Sequence, residues 1–327
     1  MPLLSLKINV WLFLQPAIDL RKLTAAPFYN RLCVFAVFVA LFAGVDAAAE
    51  TILVGGATGR QGNAVVDALL ARGYKVRGLT RKPEGKKAQR LAAKGVEVVQ
   101  GDYADSDSLL AAMQGIERVF FYSGFSRDEV AEGSNFIAAA KASGIKHLIY
   151  SSGAAAAPEN GLAGAAKMLV ELEILDSGVP YTILRPVAFM ENFDRQQART
   201  LQNGIRDSRD PERMLHFIAI QDIGLLVAEA FENPGQWLGT AVNIAGDAMT
   251  VAEYVATFSR VLGQDVVYHQ LPLDEYLEMF PQPLRPLFRW YDEVGYTADV
   301  KGLREQYPQL MTLEQYLRAT GWENWKP

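Results

Sequence analysis

Apolar runs of strand length recur along the chain from Glu50 onward, at 51–56, 74–80, 96–102, 118–124, 146–153 and 181–186. Helix-like segments lie between them, for example 62–72, 106–114, 128–143 and 164–177. Strand–helix alternation with short links predicts a parallel sheet covered by helices on both faces. The helical segments stop at Gly73, Gly95, Gly115, Gly144 and Gly178, where the chain wants a residue that accepts positive φ. In the segment 164–177, Met168, Leu172 and Leu175 recur at i, i+4 and i+7, which predicts that this face packs on the sheet.

After Pro186 the rhythm changes. Residues 189–214 are polar and read as a loop with some helix. Residues 216–234 read as a short strand followed by a helix capped by Asp222, 240–246 as a further strand, and Thr250 as the cap of another helix. The tail from 270 is rich in aromatic residues and proline. The expected fold is α/β: a Rossmann-type doubly wound parallel sheet with a small C-terminal α/β substrate lobe. The core takes about 50–190 plus 215–246, and the lobe takes 190–214 and 247–327.

The first 49 residues differ from the rest. Residues 32–45 are an unbroken apolar run, preceded by Arg21, Lys22 and Arg31 and followed by small residues suited to cleavage near Ala47. The run is short for a membrane span, which needs about 20 residues, and has the length of a signal-peptide core. Two expectations stand side by side. One is an exported or membrane-associated protein targeted through 32–45; the other is a cytoplasmic protein whose start lies near Ala48. The net charge of −5 argues against general nucleic-acid binding. Cys33 is the only cysteine, so no disulfide forms within the chain. His147, His216 and His269 are scattered without metal-ligand spacing and are expected in structural roles, and no metal site is expected.

Chemistry enters at "ILVGGATGRQGN", 52–63. Gly56, Gly59 and Gly62 give G-x-x-G-x-x-G between a strand and a helix. The first permits a tight turn, the second lets a pyrophosphate approach bare main chain, and the third lets the helix pack closely on the strand. The helix N-terminus then offers unpaired N–H groups to the anion. A tight turn with no ligand is the plainer alternative. Dinucleotide sites for NAD usually carry an acid about 20 residues further on; "GLTRKP" supplies Thr80, Arg81 and Lys82 instead. With Arg60 in the loop, two guanidinium groups can grip a 2′-phosphate, so NADP(H) is favoured over NAD(H). Asp102, at the end of the third strand, either accepts from the adenine amino group or caps the helix starting near Asp105. The main chain of 120–124 is expected beside the nicotinamide ribose.

The blocks "LVGGATGRQG", "VRGLTRKP", "GDYADSDSL", "AAKMLVELEILDSGVPYTILRPVAFMENF", "IAIQDIG" and "YDEVGYTADV" resemble the NmrA-like proteins, an atypical branch of the short-chain dehydrogenase/reductases, over about 51–326. The resemblance implies a Rossmann domain with a small substrate lobe. It also implies either an NADPH-dependent reductase of a quinone or similar small-molecule acceptor, or a non-catalytic NADP(H) sensor acting on a regulatory protein partner. By position it implies dinucleotide binding by Gly56, Arg60, Gly62 and Arg81 and a cofactor role for Lys167; Thr58, Gly59, Gln61, Lys82 and Asp102 complete the candidate cofactor site, with Lys167, Ser151 and Ser152 as candidate catalytic residues. The main branch of that superfamily carries a catalytic tyrosine four residues before the lysine; here that residue is Ala163. A surface pair with Glu171 is the plainer reading of Lys167, and a strand-end hydrogen bond that of each serine. Phe288, Trp290 and Tyr291 either line a substrate pocket, face a partner or simply pack the lobe.

Overall fold

A computed structural model describes residues 50–124, 127–193 and 202–324. The signal-like segment lies outside the described residues. Among the described residues no helix is long and apolar enough to cross a membrane.

Seven parallel strands form the central sheet: β1 (Thr51–Val54), β2 (Lys75–Thr80), β3 (Glu97–Gln100), β4 (Arg118–Phe121), β5 (His147–Ser151), β6 (Tyr181–Pro186) and β10 (Thr240–Ile244), in the spatial order β10-β6-β5-β4-β1-β2-β3. Strand order reverses between β1 and β4, and open α/β sheets place ligands at the carboxyl ends of strands flanking such a point. The central strands are apolar on both faces, as helices on both sides require; His147, Leu148, Ile149, Tyr150 and Ser151 of β5 are all buried. The helices of the core are α1 (Arg60–Ala71), α2 (Lys86–Ala93), α3 (Ser106–Ala112), α4 (Glu129–Ala142), α5 (Gly161–Ser177) and α6 (Ile220–Glu232). All five glycines read as helix stops have positive φ, from 68° at Gly144 to 87° at Gly95.

A smaller sheet pairs β7 (Ala188–Phe189) parallel with β9 (Met214–Ile218), and β9 antiparallel with β11 (Asp247–Thr250); β8 (Ile205–Asp207) pairs with β12 (Tyr268–Gln270). Residues of this region, including Met190, Phe217, Tyr254, Phe258 and Trp322, form a hydrophobic core separate from the two that flank the large sheet. Thr250 caps the helix Val251–Leu262 with a full capping box, its hydroxyl bonded to Glu253 N.

Two sequence expectations need correction. Helix α5 does not turn Met168, Leu172 and Leu175 to the sheet: Leu172 and Leu175 are 49% and 47% exposed, while Val170 and Ile174 are buried. The helix is apolar on two faces, so periodicity alone cannot choose between them. Contact does: Val170 fills the space beside Gly133, where a Cβ would clash with it, and Glu171 reaches Arg185 on β6. Likewise Asp222 is not a cap. Ala219 holds the N-cap position of α6, and the first N–H of that helix, at Ile220, donates to Glu191 Oε1 at 2.9 Å. Asp222 lies buried in the first turn, where its Oδ2 accepts from Met311 N at 2.9 Å and ties the C-terminal tail to the core.

His147 is structural. Thr182 Oγ1 gives its proton to Trp237 O at 2.8 Å, so it accepts from His147 Nε2, also at 2.8 Å. Burial pushes the imidazole down to about 4, and it stays neutral.

The Asp222 carboxyl is pushed by burial up to about 6, from 3.8 when unfolded. Folding therefore favours its protonated form. Its contribution to stability is full below pH 3.8 and is lost as pH rises through 6. Asp222→Asn keeps an oxygen for Met311 N and removes the buried charge. The variant is expected to gain stability on wild type as pH rises from 4 to 7.5, by on the order of 2 kcal/mol, in denaturant titrations at each pH. A difference that is flat with pH refutes this.

Candidate functional site

The glycine loop follows β1 directly. Gly55 N donates to Phe120 O at 2.7 Å, Gly56 turns the chain at φ 63°, and Gly59 N closes the turn on Gly56 O at 2.8 Å. Gly59 is then the N-cap of α1, with no side-chain cap and no acid in the first turn. The orphan N–H groups there have no side-chain acceptor, and the helix dipole favours an anion. Gly62 packs against the turn itself: a Cβ there would lie 2.7 Å from the Gly56 carbonyl carbon and 2.9 Å from Ala57 Cα. Over the loop lies Tyr122, whose hydroxyl donates to Gly56 O at 3.2 Å and would overlap a Cβ on Gly59. A side chain of 120–124, not only its main chain, thus borders the loop.

A cavity of about 690 Å³ opens from Gly56, Thr58 and Gly59 across the ends of β2 and β3. One end carries Arg81, Lys82, Lys86 and Lys87; the wall also carries Asp102 and Glu132. Four cations against two carboxylates leave the lining basic. Burial, and next the charge of Asp102, raise the Glu132 carboxyl above its ordinary value. Asp105 takes the capping role on α3, bonding Asp107 N and Ser108 N, while Asp102 Oδ1 accepts from Ala104 N at 3.1 Å. Arg60 does not share this cavity with Arg81. It lines the adjoining one with Arg90, Lys94 and Glu191, and Lys87 borders both.

Lys167, on α5, runs its stem past Gly153, where a Cβ would sit 3.5 Å from Lys167 Cδ. Its ammonium reaches the carboxyl end of β4, donating to Ser123 O at 3.2 Å and to Glu129 Oε1 at 3.0 Å. Glu171, its neighbour at i+4, pairs instead with Arg185 through a bidentate contact. Glu129 Oε1 also accepts from Ser123 Oγ at 2.6 Å, and Tyr150 Oη lies 2.7 Å from Ser123 Oγ. Sequence reading missed Glu129 and Ser123 as partners of Lys167. Glu129 has the pattern of any acid in a helix first turn.

Ser151 is fully buried and donates to Gln61 Oε1 at 2.8 Å, tying α1 to the end of β5. Ser152 is buried beside it. Neither serine lines the cavities described, and Gln61 is engaged by Ser151. A second cavity, of about 570 Å³, lies in the small lobe. Phe189, Phe217, Phe280, Phe288 and Tyr291 give it ring walls, and Arg209 contributes a guanidinium clamped by Asp207 through Nε and Nη2. Trp290 packs on Tyr291 and Tyr296 outside that wall. Among the described residues no cluster of His, Cys, Asp and Glu has metal-ligand geometry.

Residues 48–317 match the NmrA-like family. Quinone oxidoreductase 2 of Escherichia coli (strain K12) is 30% identical over 226 residues, which is 67% of this chain and 77% of that protein. The NAD(P)H azoreductase of Xenophilus azovorans is 30% identical over 227 residues, 68% of this chain and 78% of the relative. An NADPH-dependent quinone oxidoreductase of Escherichia coli, solved with NADPH, superposes with a TM-score of 0.72 at 26% identity, covering 82% of this chain and 99% of that one.

The two glycines that shape the loop differ in what they tolerate. Gly62→Ala drives a Cβ into main chain that cannot yield, and is expected to cost about 1–3 kcal/mol of stability. Gly59→Ala meets chiefly the hydroxyl end of Tyr122, a side chain rather than main chain, and is expected to cost less, about 1 kcal/mol. Urea unfolding of the two variants checks the order; equal losses would refute it.

Proposed function

Because the chain belongs to the NmrA-like family, we propose that it is an NADPH-dependent reductase of a quinone or similar small acceptor. The observation that carries this reading is the cavity running from a bare glycine loop to a cluster of arginine and lysine at the end of β2. The residues fit a phosphorylated dinucleotide. N–H groups at the start of α1 meet the pyrophosphate, while Arg81 and Lys82, with Lys86 and Lys87 beside them, meet the 2′-phosphate. When bound, the cofactor supplies hydride. Lys167, between the carboxyl ends of β4 and β5, takes the nicotinamide ribose.

The acceptor belongs in the ring-walled cavity of the small lobe. The segment 188–193 forms part of that cavity through Phe189 and Phe193. The same segment places Glu191 in the cavity that holds Thr58, Gly59 and Arg60. It thus borders both the ring-walled cavity and the one that adjoins the dinucleotide cavity. Aromatic walls suit a flat acceptor. Quinone oxygens take protons from water once hydride has been delivered, so the chemistry does not need the tyrosine that Ala163 replaces. Relatives named for quinone and azo substrates support the same class.

Calorimetry is expected to show NADPH binding more tightly than NADH. Arg81→Ala is expected to weaken NADPH about 10- to 100-fold while leaving NADH nearly unchanged, as the loss of a charge-assisted contact to phosphate predicts. With a panel of quinones and azo dyes, NADPH oxidation is expected with at least one acceptor and is expected to drop at least about tenfold in Lys167→Ala. Tight binding without turnover on the whole panel would overturn the reductase in favour of the sensor. No binding of either dinucleotide would overturn both.

A further inference from the structure

We propose that Glu129 is the positioning residue for Lys167, and that Ser123 and Tyr150 hold Glu129 in place. The inference rests on the dinucleotide-binding role given to Lys167 above. Alanine at 163 gives α5 no hydroxyl one turn before Lys167. An ammonium on a flexible four-carbon stem gives up rotamer freedom when it is fixed, so something must define where it points.

The hydrogen bonds define it in one direction. A carboxylate only accepts, so Ser123 Oγ, 2.6 Å from Glu129 Oε1, spends its proton there. The Tyr150 phenol, 2.7 Å from the same oxygen, must then donate to it. Burial pushes the phenol well above its ordinary value, which makes Tyr150 a permanent donor. The chain therefore runs from Tyr150 through Ser123 to Glu129, where Lys167 Nζ arrives from the other side at 3.0 Å. The Glu129 side chain is 1% exposed and that of Lys167 11%. At that depth removing either partner leaves the other charged and poorly solvated. The rest of the surroundings fix the outer partner: Tyr150 stacks on Phe121 at 4.7 Å, and Phe121 stacks on Phe136 of α4, the helix that carries Glu129. Two strands and two helices thus aim one ammonium at the β4 edge, against Ser123 O.

A positioning residue acts only through the group it positions, and a double-mutant cycle on NADPH affinity tests that. Calorimetry on the full chain needs no turnover. Lys167→Ala is expected to raise the NADPH Kd about 10-fold, and Glu129→Gln about 5-fold. The double variant is expected to lie within about twofold of Lys167→Ala alone. Multiplying effects, or a Glu129→Gln variant that binds like wild type, would overturn the proposal while leaving the reductase reading intact. Absence of NADPH binding by wild type would overturn that reading, and this one with it. If Glu129→Gln does not fold, Ser123→Ala and the near-isosteric Tyr150→Phe carry the test. Each is expected to weaken NADPH about two- to threefold with Lys167 present and not at all in Lys167→Ala. The same loss in both backgrounds would overturn the proposal.

Discussion

The Gly56 carbonyl lies where any side chain at position 62 would have to go. That contact fixes how closely α1 approaches the turn after β1, and the position of α1 fixes where its unpaired N–H groups point. The other side of α1 is fixed in the same way. Gly224 of α6 lies against main chain of α1, so that a Cβ there would meet Ala64 C at 2.7 Å. Arg72, just past α1, bridges to Glu229 and Glu232 of α6. The helix is therefore held between two close approaches that only glycine permits, and Gln61 adds a third tie to the end of β5 through Ser151. A loop of bare main chain gains its definition from these packings rather than from its own sequence.

What the sequence made legible follows from how local each cause is. The glycine stops, the cap at Thr250 and the strand–helix alternation depend on a few consecutive residues, and all are present in the structure. The buried face of α5 and the role of Asp222 depend on partners far along the chain. Arg185 lies 14 residues from Glu171, and Met311 lies 89 from Asp222. An apolar stripe at helical spacing states that a face exists, not what it meets; α5 has two such stripes and buries the one that Gly133 makes room for. The cap of α6 comes from Glu191, 29 residues before it, and no local pattern announces that. The glycine loop and Arg81 were readable as a candidate site because the motif is contiguous and the strand end follows at fixed spacing. Glu129 was not, because its meaning comes from Lys167 on another helix.

Buried charge in this molecule is concentrated where the chain must be held in register. Glu129 meets Lys167, Glu171 meets Arg185, and Asp207 meets Arg209, each with one partner almost wholly buried. Such pairs add little net stability, because desolvation offsets the attraction. What they contribute is direction. The Glu171 pair fastens α5 to β6, which carries Lys167 to the edge of the sheet. The Asp207 pair holds a guanidinium among the rings of the small lobe, where the charge of a lone arginine would be costly to bury.

The missing tyrosine then becomes a physical question rather than a gap in a motif. In the main branch of the short-chain dehydrogenase/reductases a phenol and an ammonium share one helical face, where the cation eases the phenol's deprotonation. Here a buried phenol, Tyr150, approaches from a strand and faces a serine hydroxyl already committed to Glu129. Burial holds its proton more firmly still. A phenol so placed is a poor acid for a substrate and a good anchor for a carboxylate. The same tyrosine that fails as a replacement for the proton donor thereby serves as the fixed end of the chain that orients Lys167. Acceptors whose reduced oxygens find protons in water are the ones such an arrangement suits.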